Sequence, residues 1–150
     1  MRCSSGAPFW VAQARGALTG LSLGTERAHL VRAAIEGIAA QVAWLARAAG
    51  ADLGRPLERL RVDGGLTRSR TLLQVQADLL QAPVEVYPSP HATALGVAAF
   101  ARLGLSGASA AVSVLPEWQA AAVVEPHMSA DEAEQRLQSW RAAAEATLRL

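Results

Sequence analysis

The stretch Leu57-Glu-Arg-Leu-Arg-Val-Asp-Gly-Gly-Leu-Thr-Arg-Ser-Arg-Thr-Leu-Leu-Gln-Val-Gln-Ala-Asp-Leu-Leu-Gln81 decides how this chain is read. It reads as strand, turn and helix. Leu57, Leu60 and Val62 form an apolar run with alternating partners, which predicts a strand of about five residues. Asp63-Gly64-Gly65 is a turn signal. Adjacent glycines let the backbone reach positive φ and leave no Cβ between the main chain and a ligand. Either Thr67 or Ser69 can cap the helix that follows. Leu72, Leu73, Val75, Gln76, Leu79 and Leu80 then recur at helical spacing. Free N–H groups and the helix dipole at such a junction favour anionic oxygens, which makes it a natural nucleotide site. Asp-Gly-Gly also makes ordinary tight turns, and the stretch by itself leaves both readings open. It is neither the six-position dinucleotide fingerprint nor a Walker loop. All 14 basic side chains are arginine, so a lysine-based phosphate clamp is excluded.

Upstream, a long helix is expected from Gly24-Thr25, with Thr25 as N-cap and Glu26 at the positive end. Leu30, Ala33, Ala34, Gly37, Ile38, Gln41 and Leu45 mark its apolar, small-residue stripe. Gly37 in mid-helix costs about 1 kcal/mol relative to alanine, which suggests close packing there. His29 has no partner at metal spacing and reads as structural. Glu36 reads as a buried or interfacial hydrogen-bond partner rather than a catalytic base. Gly50 to Pro56 ends the helix. Further upstream, Gly16, Gly20 and Gly24 punctuate an extended stretch anchored by Phe9 and Trp10.

Downstream, Gln81-Ala-Pro83 is a turn, and Val84, Val86 and Tyr87 form a second short strand. Pro88-Ser-Pro90-His91 closes it, and Thr93 can cap a third helix running from Ala94 to Leu103, with Gly96 open to a packed backbone. The order helix, strand, helix, strand, helix implies parallel strands joined by right-handed crossovers. Two strands make a poor sheet, so further strands, or pairing outside this segment, are expected. A short segment lies around Trp118 and Val123-Val124. Ser129 with Glu132 gives a capping-box pattern for a last helix, with Leu137, Trp140, Ala144 and Leu148 on one face.

At 150 residues, 51% of them hydrophobic and 18% charged, the chain suits one globular domain with a real core. A net charge of +1 gives no reason to propose a nucleic-acid or membrane surface. The single cysteine, Cys3, rules out an internal disulfide framework. The opening Met-Arg-Cys-Ser-Ser-Gly lacks the apolar core of a signal peptide, and no run of about 18 apolar residues spans a membrane, so a cytoplasmic location is expected.

Several blocks, in collinear order, resemble the C-terminal part of FGGY-family carbohydrate kinases, and within them the glycerol kinases. They are Ala14-Arg15-Gly16, Gly20 through Ala39, Leu60 through Thr67, Gln74 through Leu80, Ala92-Thr93-Ala94-Leu95-Gly96, and the tail Val124-Glu125-Pro126-His127-Met128 followed by Trp140. The resemblance implies an α/β fold: an actin-like, ribonuclease H-like ATPase domain with few parallel strands and packed helices. It reads residues 1–150 as one C-terminal, nucleotide-binding domain without its opening strands or the N-terminal domain. It implies ATP, with Mg²⁺ held by the nucleotide. It places Gly65, with Gly64 beside it, against the adenosine and its adjoining phosphate, and sets Ser69 where the family often has asparagine. His91 stands where glutamate is usual, and Gln13 where an acidic residue is common. No catalytic residue and no metal ligand is expected in this segment. The polyol, glycerol or a relative, would be met through the N-terminal domain, and the full-length family implies a homo-oligomer. The alternative is a non-catalytic remnant or self-associating interaction module that pairs through an exposed sheet edge and Leu/Ala-rich helices.

Overall fold

The structure, a computed structural model, describes residues 11, 16–106 and 118–148. Its centre is the helix α2 (Arg70–Leu80), which follows the quoted turn. One side of α2, Leu72, Val75 and Leu79, packs on Ala39, Ala40 and Ala43 of α1 (Arg27–Leu53) and on Leu137 of α4 (Ala130–Leu148). Leu73 and Ala77 pack on Val84, with Leu60, Val62, Val86 and Val124 around them. Those residues belong to β1 (Leu60–Val62), β2 (Val84–Val86) and β3 (Ala122–Val124), which form one sheet in the order β1-β2-β3. The expected parallel pair is β1 and β2, registered Leu60 to Val84 and Val62 to Val86. The third strand, β3, joins β2 antiparallel.

Strand β1 is shorter than expected, beginning at Leu60 and leaving Leu57 outside the ladder. The cause lies in its partner. Strand β2 starts only at Val84, after the Gln81-Ala82-Pro83 turn, and Leu60 N–H already reaches back to Pro83 O at 2.9 Å. Gln81 closes α2 in the left-handed region, at φ +53. Its Nε2 donates to Asp78 O at 2.6 Å and Met128 O at 3.0 Å, bonds that tie this unusual non-glycine conformation to α2 and to the segment before α4.

The N-cap of α1 is Glu26, not Thr25. Glu26 N–H donates to His29 Nδ1 at 3.0 Å, while Thr25 Oγ1 accepts from Ser22 N–H at 2.8 Å in the turn before. His29 is thus a cap partner, as its isolation suggested. The buried stripe of α1 also differs from expectation. Ala39, Ala40 and Ala43 are buried, with Ile35 beside them, whereas Leu30, Ile38 and Leu45 are 37%, 44% and 48% exposed and Ala33, Ala34 and Gln41 also face out. Both sides of α1 are apolar, and the side with the smaller residues is the one against which α2 comes closest. Gly37 is half-buried beneath Trp140, whose Nε1 lies 3.8 Å from where a Cβ would stand. Glu36 accepts from Arg32 at 2.7 Å and faces Arg136 of α4 at 3.6 Å, the interfacial role expected of it.

Helix α3 (Ala92–Ser106) starts one turn position earlier than expected, so Thr93 lies inside it and Leu95 N–H pairs with His91 O. Among the described residues, nothing lies within 4 Å of a Cβ built on Gly96. Leu95, Val97 and Phe100 remain exposed. Ser129 caps α4, accepting from Glu132 N–H at 3.3 Å, and the Glu132 carboxylate accepts from Arg136 at 2.8 Å. Leu137 is fully buried and Trp140 and Ala144 half-buried, as the helical face predicted, while the Leu148 side chain lies outside the described residues. Arg47 and Glu134, at 2.6 Å, join α1 to α4. Among the described residues, no helix is long and apolar enough to cross a membrane.

The C-terminal layer is fastened to α2 by one carboxylate. Asp78, buried in α2, accepts from the backbone N–H groups of His127 at 2.7 Å and Met128 at 3.2 Å, and from Gln74 Nε2 at 3.0 Å. Gln74 also donates to Glu125 O at 3.0 Å. Removing this acceptor leaves two part-buried amides without their partner, so Asp78→Ala is expected to cost about 1–3 kcal/mol in urea unfolding. An unchanged midpoint would show that solvent replaces these bonds.

Two carboxylates set a pH dependence. Burial pushes Glu85 up, but the hydrogen bonds from Arg61 and Trp118 and the charge and bond of Arg59 outweigh it and hold it below the usual range. The Arg47 bond, with help from Gln138, lowers Glu134. Groups with depressed folded values stabilise above their unfolded value of about 4.3, and that stability is lost as pH falls through the folded value. Melting temperature is therefore expected to fall below about pH 4.5. The double variant Glu85→Gln/Glu134→Gln should start lower and show a shallower acid limb by scanning calorimetry.

Candidate functional site

The turn after β1 is built by its own bonds. Gly64 has φ +89 and ψ −175, a region open in practice to glycine alone. The residues Gly65–Arg68 make one turn of 3₁₀ helix. Thr67 ties that turn to Gly64 twice, by its N–H at 3.2 Å and its Oγ1 at 2.7 Å, both to Gly64 O. Ser69 N–H closes onto Leu66 O at 3.0 Å, and Ser69 Oγ then caps α2 by accepting from Leu72 N–H at 3.2 Å. Of the two candidate caps, Ser69 caps α2 and Thr67 locks the turn.

Positive φ falls on Gly64 and not on its neighbour. Gly65 serves a different need, space. A Cβ built there meets nothing within 4 Å, and the residue is exposed. The opening N–H groups of a helical turn have no partner within it, and here they are those of Gly65 and Leu66. Ser69 Oγ spends a lone pair on the cap, which leaves its proton to donate outward. The structure thus brings Gly64, Gly65 and Ser69 together at one strand end, with an open main-chain surface, two free N–H donors and the Ser69 hydroxyl, beside the Asp63 carboxylate. That arrangement suits an oxygen-rich anionic ligand. It does not suit a bare cation. Asp63 is the one carboxylate in the turn, and among the described residues no group of three or more His, Cys, Asp or Glu side chains could hold a metal.

The two family departures fall elsewhere. His91 sits at the start of α3, its N–H donating to Ser89 Oγ at 3.2 Å. Gln13 lies outside the described residues. Sequence reading missed a polar cluster behind the turn. Glu85 accepts from Arg59 Nη1 at 3.0 Å, Arg61 Nε at 3.1 Å and Trp118 Nε1 at 2.7 Å. The Arg61 guanidinium lies 4.4 Å from the Trp118 ring centroid, and Trp118 stacks on Tyr87 at 5.3 Å. The signal was present in the alternation of Arg59 and Arg61 with Leu60 and Val62, which marks a second, polar sheet face.

Residues 4–105 match the C-terminal domain of the FGGY family of carbohydrate kinases. The chain is 47% identical over 140 residues to a glycerol kinase of Bordetella parapertussis, covering 93% of this chain and 28% of that protein. It is 43% identical over 140 residues to a glycerol kinase of Janthinobacterium sp., with the same coverage. Among solved structures, it resembles Plasmodium falciparum glycerol kinase with ADP at a TM-score of 0.78 and 31% identity, over 95% of this chain and 28% of the other. Xylulose kinase from Rhodospirillum rubrum resembles it at a TM-score of 0.70 and 30% identity, over 93% and 28% respectively. The chain therefore spans just over a quarter of the length of these relatives.

The two glycines separate by substitution. Gly64→Ala forces a side chain into strained backbone and is expected to cost about 1–3 kcal/mol. Gly65→Ala meets open space and should stay within about 0.5 kcal/mol of the parent. Equal losses in denaturant melts would overturn this division of roles.

Proposed function

The chain belongs to the FGGY family of carbohydrate kinases, through that family's C-terminal domain, and on that footing we propose that it is the ATP-binding portion of a polyol kinase that converts glycerol and ATP to glycerol 3-phosphate and ADP. The observation that carries the proposal is the open main chain at Gly65, flanked by Gly64 and the Ser69 hydroxyl, at the end of a strand. In this reading the adenosine and the phosphate beside it lie along Gly64 and Gly65, and Ser69 donates its proton to the nucleotide. The residues described fit such a contact. They offer no cluster of their own for Mg²⁺, which the proposal assigns to the nucleotide's phosphates.

Phosphoryl transfer rests on positioning and charge stabilisation across a closed cleft. The role proposed for this segment is to bind and orient the nucleotide from one side. Acceptor binding, the carboxylate that takes the hydroxyl proton and the remaining phosphate contacts are assigned to the other three-quarters of a full-length relative. A cytoplasmic setting and a homo-oligomeric full-length enzyme complete the proposal. The second reading, a self-associating module, draws on the uncovered apolar sides of α1 and α3.

Calorimetric titration with ATP, with and without Mg²⁺, tests the first reading, and sedimentation alongside it tests the second. Saturable binding is expected in the wild type and should be lost in a folded Gly65→Val, whose branched side chain fills the open space. Absence of binding by the folded wild type, with nucleotide-independent self-association, would replace the first reading by the second.

A further inference from the structure

Strand β1 hands the chain directly to the Asp63-Gly64-Gly65 turn, yet β1 is held weakly by its ladder. It is three residues long and, among the described strands, pairs with β2 alone. On the side facing α2 it is fixed by Leu60 and Val62. On the other side, the polar cluster fixes it. Glu85, its side chain 12% exposed, draws Arg61 from β1, Arg59 from the residue just before it and the Trp118 indole from the segment ahead of β3 onto one carboxylate. Tyr87, stacked on Trp118, also pins the last residue of β1, because its N–H donates to Val62 O at 2.9 Å. Arg61 is two residues from Asp63. Glu85, Arg61, Trp118 and Tyr87 thus form one linked set of contacts around the end of β1, where the chain passes to Gly64 and Gly65.

We infer that Glu85 is a positioning residue for the nucleotide turn, acting through Arg61 and Trp118 without touching the ligand. The inference deepens the proposed function and rests on it only for the identity of the ligand. An ion pair that served the fold alone would loosen the whole domain when cut. A positioning pair loosens the turn first, because β1 is three residues long and runs straight into that turn. Charge matters as well as shape, since a neutral amide at position 85 keeps the volume but weakens the hold on two guanidinium groups at once.

Two readouts test it on the full chain. In amide hydrogen exchange, Glu85→Gln is expected to speed exchange at Thr67 and Ser69 by about tenfold, and to speed the amides of α1 and the middle of α2 by clearly less. In calorimetry, the same variant should bind MgATP about tenfold more weakly. The Trp118 indole N–H resonance, assigned by its loss in Trp118→Phe, should shift when MgATP is added to the wild type. Should Glu85→Gln fail to fold, Arg59→Met removes one exposed donor and is expected to give a smaller change at the same amides. Uniform exchange across turn and core, or unchanged exchange at Thr67 and Ser69, overturns the positioning role. Wild-type affinity in the variant overturns it equally. If the wild type takes up no MgATP, the ligand assignment fails, and the exchange pattern alone decides whether Glu85 places the turn.

Discussion

Helix α2 is buried on both of its long sides, and everything else in the molecule is arranged to satisfy that condition. Leu72, Val75 and Leu79 need a helix layer, and Leu73 and Ala77 need a sheet. Each burial is worth roughly 1.5–3 kcal/mol for a large side chain, which makes the sandwich the main source of order. The polar members of α2 then acquire partners because they cannot escape to water. Asp78 and Gln74 take up the backbone at Glu125 to Met128, and Gln81 takes up Met128 again. The helix that carries the hydrophobic load is also the one that begins at the candidate site, so the cap on its first turn sits on the most rigid element present.

That coupling explains how much of the molecule could be read in advance. The strand–turn–helix order, the parallel pair and the capping of α2 and α4 follow from local signals, because apolar spacing and short polar residues act over one or two turns. What escaped was decided by tertiary partners. The N-cap of α1 moved to Glu26 because His29 could answer it. The stripe of α1 rotated to its alanines because close approach of α2 outweighed the larger but more distant Leu30, Ile38 and Leu45. Strand β1 lost its first residues to the late start of β2, which lies twenty-odd residues further along. No spacing rule sees any of these.

The site divides in the same way. That Asp63-Gly64-Gly65 makes a turn with room beside it was legible, since two glycines in succession have few other uses after a strand. Which glycine bends the chain and which leaves the space was not, because that depends on the hydrogen bonds of Thr67. Ser69 caps α2 through its oxygen, which holds the hydroxyl at the start of the helix beside the turn. The acidic anchor behind the turn was invisible because Glu85, Arg61 and Trp118 come from three separate segments. Only the register of β1 on β2 sets Arg61 opposite Glu85.

The Asp78 clasp also bears on how the chain assembles in time. The contacts among α1, β1, α2 and β2 draw on one continuous run of chain, in which each element meets its neighbour across a short loop. The bonds of Asp78 to His127 and Met128 instead span 49 and 50 residues. Closing the longer loop carries the larger entropic cost and gains little until its acceptor is already in place. Loop-closure entropy alone therefore favours contacts within the N-terminal run over those of the tail from β3 onward. Asp78 on α2 is the socket that ties residues 127 and 128 to the N-terminal run across that long loop.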